Sequence, residues 1–105
     1  MTHEPPHLLF GGRAQWGKDT QECLAKAWEA VYRDDFDGLS ALLQKEPKLV
    51  HARTADGRGP LFWAYEYGRQ MMIAMLLKAG CNPQARDAQG KVPAAAAAEV
   101  RTMLH

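Results

Sequence analysis

Cysteine is scarce in this 105-residue sequence, which has Cys23 and Cys81 and no others. They stand far apart and form no Cys-x-x-Cys pair, so no disulfide framework or thiolate zinc site is offered, and a reducing compartment is implied. Neither has an adjacent base, so the ordinary means of activating a thiol nucleophile is missing. Histidine is as thin, with His3, His7, His51 and His105. Of these, His3 and His7 alone have metal-ligand spacing, and they fall in a terminal stretch read as solvated tail. Charge of one sign is lacking too. The formal net charge is +1, so no global field draws nucleic acid or an anionic membrane. No apolar run approaches the ~20 residues that span a bilayer. The opening "MTHEPPHLLF" has neither the basic nor the long apolar region of a secretion signal. These absences predict a cytoplasmic protein, or a nuclear one, with no nucleic-acid or membrane partner.

What is present is the composition of one small globular domain, 47% hydrophobic and 24% charged. The stretch "DGRGPLFWAYEYGRQ" (56–70) packs four aromatics between glycines. Gly59-Pro60 suits a helix start, because proline's missing N–H would have no intrahelical partner at the first helical position. Leu61, Ala64, Tyr65 and Gly68 then fall at i, i+3, i+4 and i+7, one helical face, while Trp63, Glu66, Tyr67 and Gln70 lie on another. Gly68 ends the helix after about two turns. The clustered Gly and Pro residues exclude a strand. In "MMIAMLLKAG", Met72, Met75, Leu76 and Ala79 share a second stripe, widened by Ile73 and Leu77 and closed by Gly80. Met71, Met72 and Met75 are read as core. Two such short helices make a hairpin that cannot bury its apolar faces alone, so a neighbouring unit is required.

The sequence supplies it. Gly57 and Pro60 recur as Gly90 and Pro93, an offset of 33, and "ARTADGRGP" (52–60) aligns with "ARDAQGKVP" (85–93) without a gap. The same offset carries "VYRDDFDGLSALLQ" (31–44) onto "AYEYGRQMMIAMLL" (64–77), matching Tyr32 with Tyr65, Ala41 with Ala74 and Leu43 with Leu76. The chain then divides into an irregular arm (1–19) and a repeat domain (20–105). The repeats run from about 20 to 52, from about 53 to 85, and in part from 86 to 105.

With "GRGPLFWAYEYG" followed by "MLLKAGCNPQARDAQG", the chain resembles the ankyrin-repeat family over roughly residues 20 to 105. "LLQKEPKLVHAR" (42–53) resembles its common first-repeat form. The family's Thr-Pro-Leu-His is replaced by Gly59-Pro60-Leu61-Phe62 and by Val92-Pro93-Ala94-Ala95. Packing by Phe62 and Tyr65 is expected to substitute for the missing Thr and His hydrogen bonds. The resemblance implies an all-α solenoid of stacked helix–turn–helix units, with finger-like turns near 54–58 and 87–91. It implies a protein-interaction module that is not an enzyme, needs no cofactor or metal and takes no small-molecule substrate. The family's contact positions fall on Ala55, Asp56, Arg58, Glu66 and Tyr67, and on Ala88, Gln89 and Lys91. The helical-face argument adds Trp63, so Trp63 and Tyr67 are expected side by side on an exposed face, where aromatics favour binding.

Two other classes stay open. One is a structural subunit or homo-oligomer. The other rests on "GRAQWGKD" (12–19), which nearly matches the phosphate-binding loop, with Gly12, Gly17 and Lys18 in place and "HLLF" before them. Asp19 stands where the magnesium-binding hydroxyl belongs, and the chain supplies no parallel strands for the sheet that carries such a loop. Asp19 or Thr20 is instead expected to cap a helix that begins near Gln21. The acidic run Asp34, Asp35 and Asp37 is expected to end one helix and start the next. "PAAAAAEV" (93–100) is read as the inner helix of the last, partial repeat.

Overall fold

The computed structural model describes residues 18–103. Those residues are helical, with no strand among them, which gives the all-α class expected. The order is α1 (Lys18–Tyr32), α2 (Phe36–Lys45), a 3-10 turn (Pro47–Val50), α3 (Pro60–Glu66), α4 (Gln70–Ala79) and α5 (Pro93–Met103). Helix α1 already includes Lys18, three residues before the expected start, so Lys18 and Asp19 belong to the helix and not to an arm. The rest of the phosphate-loop-like stretch, with His3 and His7, lies outside the described residues.

Each helix end follows from its sequence. Gly59 caps α3 in an extended conformation with Pro60 at the first helical position, as expected. The Asp35 carboxylate accepts the Gly38 N–H (2.9 Å) and caps α2. Three helices end alike, each with a left-handed residue just past the last turn: Asp34 (φ 60°), Gly68 (68°) and Gly80 (112°). In each, one N–H reaches back three residues and the next reaches back five. The pairs are Asp34 to Val31 and Asp35 to Ala30, then Gly68 to Tyr65 and Arg69 to Ala64, then Gly80 to Leu77 and Cys81 to Leu76. This double return pairs the carbonyls that a helix end leaves open.

The bonds reveal the true register of the repeat. Turns 54–58 and 87–91 match at the expected offset of 33: Thr54 N–H bonds Arg58 O and Asp87 N–H bonds Lys91 O, while Gly57 N–H bonds Thr54 O and Gly90 N–H bonds Asp87 O. The α1–α2 and α3–α4 hairpins match at 34, with Asp34 in the place of Gly68 and Phe36–Lys45 in the place of Gln70–Ala79. The one-residue shift corrects the pairing of Tyr32 with Tyr65 and of Leu43 with Leu76; Tyr32 matches Glu66 and Leu42 matches Leu76.

Helix α3 packs against α1, α4 and α5, and α2 packs against α1 and α4. One core joins Leu24, Ala27, Trp28 and Val31 of α1, Leu39 of α2, Leu49 and Val50 of the 3-10 turn, residues 61–64 of α3, Met72 and Leu76 of α4, and Ala96 of α5. Tyr65, expected in the core, is half-buried against it. Of the three methionines read as core, Met72 is buried, Met75 is half-buried and Met71 is 73% exposed. Leu76 is fully buried, so Leu76→Ala is expected to cost about 2–5 kcal/mol in denaturant unfolding. A cost under about 0.5 kcal/mol, the range of surface substitutions, would contradict this packing.

Candidate functional site

The residues singled out in the sequence sort into two places. Asp56, Arg58, Gln89 and Lys91 lie in the two turns, and Glu66 and Tyr67 lie at the C-terminal end of α3. Trp63 belongs to neither. It is 2% exposed and part of the core, which overturns its expected place on an exposed binding face. The reason is the position of α3. A seven-residue helix enclosed by α1, α4 and α5 has no solvent face along 61–64, so the two-faced pattern does not apply. The unbroken apolar run Leu61, Phe62, Trp63, Ala64 was the available signal. The Trp63 indole Nε1 is buried with no hydrogen-bond partner, a further sign that packing places it.

The two turns form one polar edge. Ala88 N–H donates to Asp56 O (2.9 Å), which ties the tip of the second turn to the first. Arg58 Nε donates to Asp87 Oδ2 at 3.2 Å, with the Asp87 side chain 1% exposed. Asp87 Oδ1 accepts the Gln89 and Lys91 N–H groups at 2.8 and 2.9 Å. Burial alone would raise the Asp87 carboxyl, but the Lys91 and Gln89 amides and the Arg58 guanidinium outweigh it and hold the group below the ordinary carboxylate range. Thr54, at the matching place, donates its hydroxyl to the Asp56 carboxylate, with Arg58 O lying 3.3 Å from the same oxygen. Asp56 also accepts the Arg58 N–H (3.1 Å). Asp56, Arg58 and Asp87 therefore organise the turns. The exposed tip is left to Ala55, Asp56, Ala88 and Gln89, with Lys91 half-buried beside it.

The second place is aromatic. The Trp28 and Tyr32 rings of α1 stack at 5.2 Å with planes 5° apart, and the Tyr67 ring meets Tyr32 edge-on at 5.7 Å. The Trp28 side chain hydrogen-bonds Tyr67, yet burial and the neighbouring Glu66 carboxylate raise the Tyr67 phenol above its ordinary value. Tyr32 is 38% exposed, Glu66 and Tyr67 are half-buried, and Trp28 is buried. Arg69 underlies the group: its guanidinium donates to Val31 O (3.0 Å) and Tyr32 O (2.7 Å) and so closes the end of α1 from the next hairpin. Trp28, Tyr32 and Arg69 were not singled out in the sequence, because their association depends on how the two hairpins stack.

Other candidates take structural places. Cys81 is buried and donates to Val50 O (3.5 Å); burial pushes its thiol up to about 11, against the weaker pull of the nearby Arg53 charge. Among the described residues, no group of three His, Cys, Asp or Glu side chains could hold a metal ion, and no helix is long and apolar enough to cross a membrane.

No family model matches the chain. Among curated proteins, the serine/threonine-protein kinase VIK of Arabidopsis thaliana is 35% identical to it over 74 residues, which make up 70% of this chain and 17% of the kinase. The chain thus spans less than a fifth of that relative's length.

The stacking of the two turns generates a prediction. A Cβ at Gly57 would stand 2.6 Å from Ala88 N, whereas one at Gly90 would meet nothing within 4 Å, and both glycines have positive φ. Gly90→Ala is expected to cost about 1–2 kcal/mol, from backbone conformation alone. Gly57→Ala should cost about 1–3 kcal/mol more, from the clash with the second turn. Equal costs in chemical denaturation would show that the turns are not stacked.

Proposed function

We propose that this chain is a short ankyrin-type array that binds a partner protein and carries no catalytic group of its own. The observation that supports this best is the pair of turns, built on one hydrogen-bond scheme 33 residues apart and joined by the Ala88–Asp56 bond. Such stacking lines up the exposed tips of successive repeats along one edge, a surface that repeat proteins use for recognition. The helical pairs behind the turns repeat as well, with the same double return at Asp34 and Gly68.

The binding surface in this reading combines the tip residues Asp56, Gln89 and Lys91 with Tyr32, Glu66 and Tyr67. Tyr32 takes the role first given to Trp63: it is a large aromatic kept partly in solvent beside Tyr67, and tyrosines are favoured where binding energy concentrates. Arg58 serves the surface indirectly, by holding Asp87. Kinase catalysis is no part of this reading. The chain contains neither the His-Arg-Asp nor the Asp-Phe-Gly tripeptide of protein kinases. Its nearest sequence, Asp35-Phe36-Asp37-Gly38, caps and opens α2. The 74-residue likeness covers 17% of that kinase and does not enter the argument for binding.

The test uses the intact chain as bait, followed by titration of the purified partner it captures. Tyr32→Ala with Tyr67→Phe should weaken that partner at least about 30-fold, the scale of one hot spot, while helical circular dichroism stays at the wild-type level. Unchanged affinity in the double variant would remove the aromatic group from the surface. Equal affinity after further substitution of Gln89 and Lys91 would contradict the proposal as a whole.

A further inference from the structure

The tips of the two hairpins, 33–35 and 67–69, stand side by side, because Arg69 of the second donates to Val31 O and Tyr32 O at the foot of the first. This edge holds three of the four large hydrophobic side chains left exposed among the described residues. They are Tyr32 and Phe36, each 38% exposed, and Met71, 73% exposed. Tyr32 leads into the first tip and Phe36 leaves it, while Met71 lies in the first turn of α4, at the place that matches Asp37. The Tyr67 ring stands beside Tyr32. Bulky apolar groups gathered at polar turns mark an interaction surface.

The local charge selects the kind of partner. Both positive residues of the tips are already engaged: Arg33 pairs with Glu29 at 3.0 Å, and Arg69 holds the two carbonyls of α1. Asp35 caps α2. The exposed Asp34 and Asp37 carboxylates have neither an ion pair nor a hydrogen bond among the described residues. The unmatched charge around Tyr32 and Phe36 is therefore negative, although the whole chain carries a formal +1. At the opposite edge the sign reverses, since Arg53 and Arg86 donate to the carbonyls of Ala52 and Gly90 and, among the described residues, to no carboxylate. An acidic segment or a nucleic acid would be repelled by the hairpin tips. A segment that carries basic and apolar side chains together suits both the carboxylates and the exposed rings.

We infer that the hairpin tips bind a partner segment in which lysine or arginine stands beside bulky apolar residues. Its cations meet Asp34 and Asp37, and its apolar groups cover Tyr32, Phe36 and Met71. This rests on the proposal that the Tyr32–Tyr67 group belongs to a recognition surface, and it names the chemistry that this part of the surface recognises.

NMR of the full chain, titrated with the peptide Gly-Lys-Leu-Gly-Arg-Leu-Gly, tests it. The amides of 32–37 and 67–71 should shift together, with a dissociation constant between about 10 μM and 1 mM that weakens as salt is added. Twin peptides with glutamate for the two bases, or serine for the leucines, should bind at least about fivefold more weakly. Asp34→Gly and Asp37→Asn should each weaken the basic peptide as well. Asp34 holds a φ of 60°, which glycine adopts freely, so Asp34→Gly removes the carboxylate while easing the helix end, and lost binding cannot be lost folding. Shifts confined to other residues, no shift up to about 5 mM peptide, or equal binding of the glutamate twin overturns the inference. The captured partner separates this failure from the wider one. If that partner still depends on Gln89 and Lys91 while the basic peptide leaves the tips untouched, the recognition proposal stands and this inference falls. If the partner ignores every surface variant, both fall.

Discussion

The whole arrangement depends on burying α3. Seven residues make fewer than two turns, far below the ~12–15 needed for a helix to persist in water, and this one carries Leu61, Phe62, Trp63 and Ala64 in succession. Each large side chain contributes about 1.5–3 kcal/mol when removed from water, but only if neighbours stand on every side. Helices α1, α4 and α5 are those neighbours. The glycines at 59 and 68 keep α3 short and let the chain turn back at both ends, so that α4 can cover it.

The polar layer follows from the same constraint. Stacking short helices side by side leaves turns of fixed length at one edge, where many backbone groups must find partners. Two solutions appear on one backbone. In the first turn Thr54 and Asp56 share the work; in the second, a nearly inaccessible Asp87 accepts two amides and the Arg58 guanidinium. Arg58 thereby ties one turn to the next through a partner that is fully satisfied, the condition under which a buried carboxylate is tolerated. Arg69 makes the corresponding link at the opposite edge, from the second hairpin to the end of α1. The aromatic group of Trp28, Tyr32 and Tyr67 lies over that link.

Much of this was legible in the sequence, and the failures have physical causes. Glycine and proline mark backbone geometry directly, so the bounds of α3, the end of α4 at Gly80 and both turns could be read. The register of the first hairpin could not, because Asp34 adopts the left-handed conformation that Gly68 adopts, and aspartate does not announce it as glycine does. A 33-residue alignment then matched Tyr32 to Tyr65 by chemistry and missed the backbone by one. Trp63 was placed outside because a helical wheel assumes one buried face, and α3 has neighbours all round. The contacts of Arg69 and Asp87 join residues about 30 or more apart; each side chain alone reads as an ordinary surface charge, and only the stacking gives it a partner.

The two turns dock one on the other, and the amide of Ala88 reports that contact most directly. The Ala88 side chain is exposed, while its amide faces the first turn and donates to Asp56 O. Native-state hydrogen exchange of the full chain should find the Ala88 amide protected to the level of the α3 amides, opening with the stacked unit as a whole. An Ala88 amide that exchanges at the rate of an unfolded chain while α3 and α4 remain protected would mean that the second turn does not dock on the first.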